Sequence, residues 1–412
     1  MHGTLPRPRF TFDRLIAPVG RAAFLADHYE RTPLILHRRN PGYYRDLLAL
    51  DDVWDHIEAR CPGPGEINLI KLASGGCADE WMGDNRRADP VRIAQLFTEG
   101  WTIGLNRMHE HLPALAELCT AAEAVFSCPF QANLYLTPPG AQGFTAHWDT
   151  HDVFVLQVHG SKDWTLYDTQ VELPLVGQSF DDHKPAPGPA TASFTLRAGD
   201  LLYCPRGLMH SAQSGPETSL HITFGLMGRT WSELVMEAVS KVFLADPALR
   251  RNLPAGFANP GFDADTAAAE FAGLMQRVAA QAEFGPALAM MRDRFMAGQV
   301  PRRPGQAQQL AGLGQLTPAS RAAARPDLVW QLEAHEDQVS LACGPTVLTL
   351  PGFTADAVRA RRRERGALRH RRRSVRRARV AKRAQCEGRG ASDRRATEDA
   401  RVLESELPRL QA

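Results

Sequence analysis

The sequence has no long apolar runs and no paired cysteines, and these absences argue against several classes of protein. No stretch approaches the roughly 20 apolar residues that a membrane-spanning helix needs. Residues 1–10 lack the apolar core of a signal peptide. The seven cysteines are scattered and form no C-x-x-C pair, which argues against a disulfide framework or a zinc knuckle. We therefore expect a cytoplasmic protein with reduced thiols.

Net charge is also small, but it is unevenly distributed. The formal charge of +2 includes an Arg-rich end, residues 358–412, with 19 Lys or Arg against 7 Asp or Glu. Without apolar periodicity this end cannot bury a core, so we expect residues 356–412 to be a disordered tail. Two interpretations of the tail stay open, an RNA or ribosome contact and a frame-shifted end. The rest of the chain carries a net charge of −10 and has no general electrostatic attraction to nucleic acid.

The hydrophobic pattern divides the chain into helical and β-rich parts. With 412 residues, 44% of them hydrophobic, it can bury a large core in two or three domains. Helical spacing over Trp101–Phe126 predicts a helix that covers one face of a sheet. Short β-rich runs from 130 to 225, separated by Gly, Pro and Asp, predict a sandwich or barrel. Helical spacing returns over 230–300, and a small α+β piece follows.

One triplet in the β-rich part, His147-Trp-Asp149, predicts a metal site. Side chains two apart on a strand share a face, so His147 and Asp149 point the same way. A third ligand, His210, begins a new strand after a Pro-Arg-Gly turn. Two histidines and one carboxylate leave coordination positions open, which suits Fe(II) better than a closed structural zinc site.

Other conspicuous residues have ordinary structural interpretations. His151 shares the face of Asp149 but is expected further along the strand than the metal. Arg206 either lines the mouth of the site or is solvated. The glycine-rich loop at residues 74–77 is a surface loop or part of a lid. Packing roles are expected for His159, His221, Trp148 and Trp164.

Five short motifs, taken together, resemble a known enzyme family. They are Asn133-Leu-Tyr135, His147-Trp-Asp149, Gly-Ser-Lys162-Asp-Trp164, Pro205-Arg-Gly-Leu-Met-His210 and Ser219-Leu-His-Ile-Thr223. As a set they are similar to the JmjC-type (cupin-like) 2-oxoglutarate oxygenases, nearest the ribosomal oxygenase branch. The resemblance extends from about Phe12 to about Gly352.

The resemblance implies a catalytic site and a reaction. His147, Asp149 and His210 would bind Fe(II), and Lys162 would bind the distal carboxylate of the cosubstrate 2-oxoglutarate, with O2 as oxidant. Further pocket residues implied by match are Tyr135, Asn133 and Thr223. The implied reaction is hydroxylation of a protein or peptide side chain, with Arg or His of a ribosomal protein as the suggested target. One departure is Gly225, where relatives often carry a second hydroxyl.

The resemblance also implies a domain order. The implied fold is a mainly β core, a double-stranded β-helix (jelly roll) with flanking helices. Residues 1–228 would form the catalytic domain and 229–300 a helical segment that makes a homodimer. Residues 301–355 would form a winged-helix-like domain before the tail.

Two functions from other classes remain open on the sequence alone. A metal-dependent cupin isomerase or hydrolase would need neither Lys162 nor a cosubstrate. A non-catalytic jelly-roll protein associated with the ribosome or RNA would depend on the basic tail. The joint presence of His147, Asp149, Lys162 and His210 favours the oxygenase.

Overall fold

The computed structural model describes residues 10–72, 80–168, 171–180, 185–299, 306–315, 317, 329–335 and 337–355. The chain divides into two compact units, one of residues 1–330 with 343–346, the other of residues 331–342 with 347–412. The predictions for the loop at residues 74–77 and for the Arg-rich tail lie outside the described residues. Within the described ranges, no helix combines the length and apolar character needed to cross a membrane.

The α-helices whose bounds lie among the described residues of the first unit are found before residue 127 or after residue 230. They are α1 (Phe12–Leu15), α2 (Arg21–Ala23), α3 (Leu50–Arg60), α4 (Pro90–Thr98), α5 (Pro113–Phe126), α6 (Trp231–Ala245), α7 (Ala264–Gln281), α8 (Phe284–Gly298) and α9 (Gln306–Ala311). Several of these helices begin where a side chain caps the first backbone N–H groups. The Asp89 carboxylate accepts from the first backbone N–H groups of α4, and Thr230 with Glu233 forms a capping box at α6.

Ten strands of this unit form two antiparallel sheets. They are β1 (Leu34–Leu36), β2 (Ile67–Ile70), β3 (Thr102–Leu105), β4 (Phe130–Thr137), β5 (Asp152–His159), β6 (Ser161–Tyr167), β7 (Ala190–Arg197), β8 (Leu201–Cys204), β9 (His210–Ser214) and β10 (Ser219–Leu226). The larger sheet has the order β1-β8-β5-β10-β4-β3-β2, and the smaller has the order β7-β6-β9. Together they form the double-stranded β-helix that the family resemblance implies, in agreement with the sandwich or barrel that the β-rich pattern predicts.

Strand β5 shows where the core lies, because both of its faces are buried. Phe154 packs outward against the aromatic rings of Phe12 and Phe24 from the N-terminal helices. Val153 and Val155 point inward, in a buried cluster with Trp164 of the smaller sheet. The sheet is therefore covered by helices on one side and encloses a cavity on the other.

The prediction of one helix over Trp101–Phe126 is wrong in its first part. Thr102–Leu105 is β3, which pairs with β2 and β4 in the larger sheet. Helix α5 begins only at Pro113, which tolerates the first helical position because it lacks a backbone N–H. Ile103 and Leu105 are buried within the sheet, and local periodicity does not reveal that pairing.

A three-stranded sheet is formed mainly by described residues of the second unit, and its first two strands are antiparallel. Its strands are β11 (Gln331–Ala334), β12 (Gln338–Cys343) and β13 (Thr346–Pro351), in that order. The small α+β piece predicted after residue 300 therefore contains strands among its described residues. Its interpretation as a winged-helix-like domain stays a prediction, as do the other domain boundaries.

Candidate metal site and adjoining cavity

The fold brings the three predicted metal ligands together from two segments. His147 and His210 face each other across a short antiparallel bridge. The His147 N–H donates to the His210 carbonyl at 3.0 Å, and the His210 N–H donates back at 2.8 Å. One ligand atom from each of His147, Asp149 and His210 lies within 4.8 Å of the other two. The Nε2 atom of His210 is 3.8 Å from the Asp149 Oδ2 atom.

Both imidazoles are oriented by the backbone. The His147 Nδ1–H donates to the Thr145 carbonyl at 2.8 Å, and the His210 Nδ1–H donates to the Leu208 carbonyl at 3.0 Å. A carbonyl oxygen can only accept, so each Nδ1 carries a proton, and a neutral ring in this orientation offers its lone pair at Nε2. This is the tautomer that binds a metal through Nε2.

Burial prepares His210 further for this role. Burial first, and the neighbouring His147 second, lower the pKa of His210 to about 4. The ring is therefore neutral at physiological pH and needs no deprotonation before it binds a metal. Two imidazoles and a carboxylate on one side of a partly enclosed space fit a divalent metal with open positions.

The triad opens into a cavity of about 390 Å³ between the two sheets. Every cosubstrate residue predicted from the sequence lines it. They are Lys162, Tyr135, Asn133 and Thr223. The structure therefore brings these predicted site residues and the candidate metal ligands around one space.

Lys162 is the most informative of these residues because it is a buried cation. It lies on β6 with only 6% of its surface exposed. Burial lowers its pKa to about 7, and no described carboxylate contributes to that shift. An ammonium group in such a position binds an anion readily, because no carboxylate in the described part of the chain neutralises it.

The remaining predicted pocket residues have clear local partners. The Asn133 side-chain oxygen accepts from the Arg107 N–H at 2.9 Å and from the Gln131 Nε2 at 2.8 Å. Thr223 of β10 is the register partner of Asn133 on β4. The ring of Tyr135 stacks on His221, and burial first and Asp149 second raise its pKa to about 12. Its hydroxyl is therefore protonated and can donate.

His221 is a cavity residue that the sequence interpretation missed. It lines the cavity two residues before Thr223, so the period of a strand already places the two on one face. Burial first and Lys162 second hold its pKa well below the usual value. Its Nδ1 atom is buried and has no hydrogen-bond partner among the residues that the structure describes. A packing role alone leaves that polar atom unexplained.

His151 also lines the cavity, although it is not part of the triad. Its ring fills the space beside Gly225, where an added Cβ would lie 2.7 Å from the His151 Cδ2. The absence of a side chain at Gly225 is therefore matched by the bulky ring of the residue just before β5. A hydroxyl-bearing side chain at position 225 would require His151 to move.

Arg206 neither lines the mouth of the site nor is solvated, so both of its predicted roles are wrong. Its side chain is 11% exposed and forms ion pairs with Asp152, at 3.2 Å, and with Glu30. It is absent from the residues that line the cavity. The correction has a physical reason, since buried Asp152 needs a cationic partner and sequence spacing cannot show that pairing.

Comparison with known proteins finds similarity over the part of the chain that contains this site. Residues 107–234 match the JmjC domain family. The bifunctional lysine-specific demethylase and histidyl-hydroxylase NO66 of Drosophila sechellia is 32% identical over 248 residues, which cover 58% of this chain and 38% of that protein. Ribosomal oxygenase 2 of Mus musculus is 29% identical over 258 residues, 60% of this chain and 55% of that protein. The chain thus spans about two fifths of the length of the first relative and just over half of the length of the second.

Solved structures of an Escherichia coli ribosomal oxygenase, YcfD, are also similar. One has a TM-score of 0.44 and 15% identity, and covers 79% of this chain and 84% of that chain. Another, in complex with cobalt and 2-oxoglutarate, has a TM-score of 0.43 and 14% identity over the same shares.

Proposed function

Because residues 107–234 of this chain match the JmjC domain family, we propose that it is an Fe(II)- and 2-oxoglutarate-dependent dioxygenase. Its reaction would hydroxylate a protein or peptide side chain. One observation carries the proposal: the His147, Asp149 and His210 triad shares a cavity with buried Lys162. An isomerase or hydrolase would need the triad but not a buried, unneutralised ammonium group.

The residues of the chain divide the work of this reaction. When bound, Fe(II) supplies the oxidation chemistry that couples decarboxylation of 2-oxoglutarate to oxygen insertion into a C–H bond. Lys162 holds the distal carboxylate of the cosubstrate, and the hydroxyls of Tyr135 and Thr223 are available to donate to it. Val155 and Trp164 form apolar parts of the cavity wall and exclude water.

Release of succinate from 2-oxoglutarate, measured with Fe(II) and ascorbate, tests the proposal. The full chain should form succinate, and the triad variant His147→Ala should not. If the chain bound a divalent metal but consumed no 2-oxoglutarate with any candidate peptide, the isomerase or hydrolase alternative would replace the dioxygenase.

The substrate we propose is an Arg or His side chain of a ribosomal protein. Support comes from the names of two relatives, a histidyl-hydroxylase and a ribosomal oxygenase. Mass spectrometry of ribosomal proteins from cells with and without the gene should show one added oxygen atom on such a residue. A mass shift confined to other proteins would contradict this choice of substrate.

We also propose a cytoplasmic location. Its support is that Cys128 and Cys204 are free thiols, and cell fractionation tests the location.

We also propose that the segment α6–α8 forms a homodimer. Its support is a set of large apolar side chains that are exposed in the single chain: Trp231, Val235, Met236, Phe243, Leu244, Phe271, Met275, Phe284 and Leu288. A patch of this kind marks a protein interface in a stable protein. Light scattering should give the mass of two chains, and Leu244→Glu should give one. Val91→Glu, on α4 with the same 79% exposure as Leu244, is the matched control.

A further inference from the structure

The turn between β8 and β9 is attached to two of the candidate metal ligands. The Gly207 N–H donates to the Asp149 carbonyl at 3.0 Å. The Leu208 carbonyl accepts from the His210 Nδ1–H at 3.0 Å. A movement of this turn would therefore shift the backbone of Asp149 and release the ring of His210 from its acceptor.

Arg206 fixes this turn to the start of β5. Its backbone N–H donates to the Asp152 Oδ1 at 3.2 Å, and its Nη1 donates to the Asp152 Oδ2 at 3.2 Å. Asp152 is 1% exposed and lies only three residues after Asp149. Side-chain and backbone groups of one residue thus bind both oxygens of one buried carboxylate.

A second set of contacts extends this cluster to the N-terminal part of the chain. The Tyr203 hydroxyl donates to the Asp152 Oδ1 at 3.0 Å and accepts from the Glu30 N–H at 2.9 Å. The Glu30 carboxylate forms the second ion pair of Arg206. Because Tyr203, Asp152 and Arg206 are all largely buried, the cluster cannot exchange these partners freely with water.

We propose that Arg206, through its ion pair with Asp152, is a positioning residue for the metal site. It contacts neither the cavity nor a ligand atom, and it acts by holding the turn that orients Asp149 and His210. Partners of this outer kind typically change metal affinity by about 10- to 100-fold when they are removed. The inference rests on the metal site proposed above.

Titration of the full chain with Co(II) alone, followed by its visible absorption, tests the inference without requiring turnover. Arg206→Gln keeps the length of the side chain but loses the charge. We expect it to weaken Co(II) binding about 10- to 100-fold and to change the absorption spectrum of the bound ion. Arg206→Lys keeps the charge and should recover most of the affinity.

A matched control separates positioning from general stability. Arg277 binds the Asp246 Oδ2 through Nε at 3.0 Å and Nη2 at 2.7 Å, and Asp246 is 5% exposed. Arg277→Gln therefore also breaks the ion pair of a buried carboxylate, but in the helical segment. We expect its Co(II) affinity and spectrum to match those of the unchanged chain.

The outcomes distinguish this inference from the proposed function. If the unchanged chain bound no Co(II), the metal site itself would fail. If it bound Co(II) and a folded Arg206→Gln bound equally well, or if Arg277→Gln weakened binding as much, only the role of Arg206 would be overturned. If Arg206→Gln does not fold, the milder variant Glu30→Gln replaces it and should weaken Co(II) binding by a smaller factor. Unchanged Co(II) binding in Glu30→Gln would then overturn the positioning role of Arg206.

Discussion

The β-sheet core and the helical segment after it differ in how far their apolar side chains are buried. In β5 the apolar residues on both faces are buried, with Phe154 fully enclosed. In α6–α8 several of the largest apolar side chains face outward, and Trp231 is 75% exposed. The core is thus complete within one chain, whereas the helical segment has apolar surface left for a partner.

This difference in burial corresponds to the two functions that we propose for the chain, binding of metal and cosubstrate in the core and self-association through the helical segment. A closed core holds ligands at fixed distances, as a metal site and a buried ammonium group require. An open apolar face gains stability from association, since burying it removes apolar surface from water. Changes in the core should therefore affect the site or the fold, and changes in the helical segment should affect assembly.

The largest effect is expected from removing a metal ligand from the core. His210→Ala deletes one of three donors and leaves two, so binding of Co(II) and formation of succinate should be abolished. Light scattering should meanwhile give the same mass as for the unchanged chain. A loss of both metal binding and self-association would show that the two regions are not independent.

Core and helical phenylalanines should respond differently to truncation. Phe154→Ala leaves a cavity in a closed core and should lower the free energy of unfolding by about 3–5 kcal/mol. Phe271→Ala, at a side chain 64% exposed, should change it by less than about 0.5 kcal/mol at concentrations where the chain is a monomer. Denaturant unfolding measures both values. Equal losses would contradict the contrast between the two regions.

Removal of the buried cation should weaken cosubstrate binding specifically. Lys162→Ala loses a charge-assisted hydrogen bond of about 2 kcal/mol, so the dissociation constant for 2-oxoglutarate should rise roughly 30-fold. Calorimetry on the Mn(II)-loaded chain measures it. Lys241→Ala, at an exposed lysine of α6 that donates to the Pro286 carbonyl, is the control and should bind as the unchanged chain does.

The same lysine predicts a pH dependence with a defined sign. Burial lowers the pKa of Lys162 to about 7 in the free chain, and the cosubstrate carboxylate binds the protonated form. Affinity for 2-oxoglutarate should therefore fall as pH rises above about 7, by up to about tenfold per unit. Lys162→Arg stays charged throughout and should bind with little change up to pH 9. A steep fall in that variant as well would assign the titration to another group.

Much of this site could be predicted because its key features are local in sequence. The alternation of a strand places His147 and Asp149 together, and the turn before His210 marks the start of another strand. Lys162 was found through the family resemblance, because spacing alone does not distinguish it from a surface lysine. The same alternation could have placed His221 in the pocket, since it lies two residues before Thr223 and therefore shares its face of the strand.

The parts that could not be predicted depend on distant contacts. Arg206 pairs with Glu30, 176 residues earlier in the chain, and nothing near either residue signals the other. Thr102–Leu105 has an apolar pattern compatible with a helix and becomes a strand only because β2 and β4 lie on either side. Tertiary pairing overrides the local preference there.

The most direct test of the account is an anomalous-difference map from crystals of the full chain grown with Co(II) and 2-oxoglutarate. We predict one Co(II) peak bonded by His147, Asp149 and His210, with the distal carboxylate of the cosubstrate at the Lys162 ammonium. A Co(II) ion bound elsewhere, or a cosubstrate that does not reach Lys162, would contradict it.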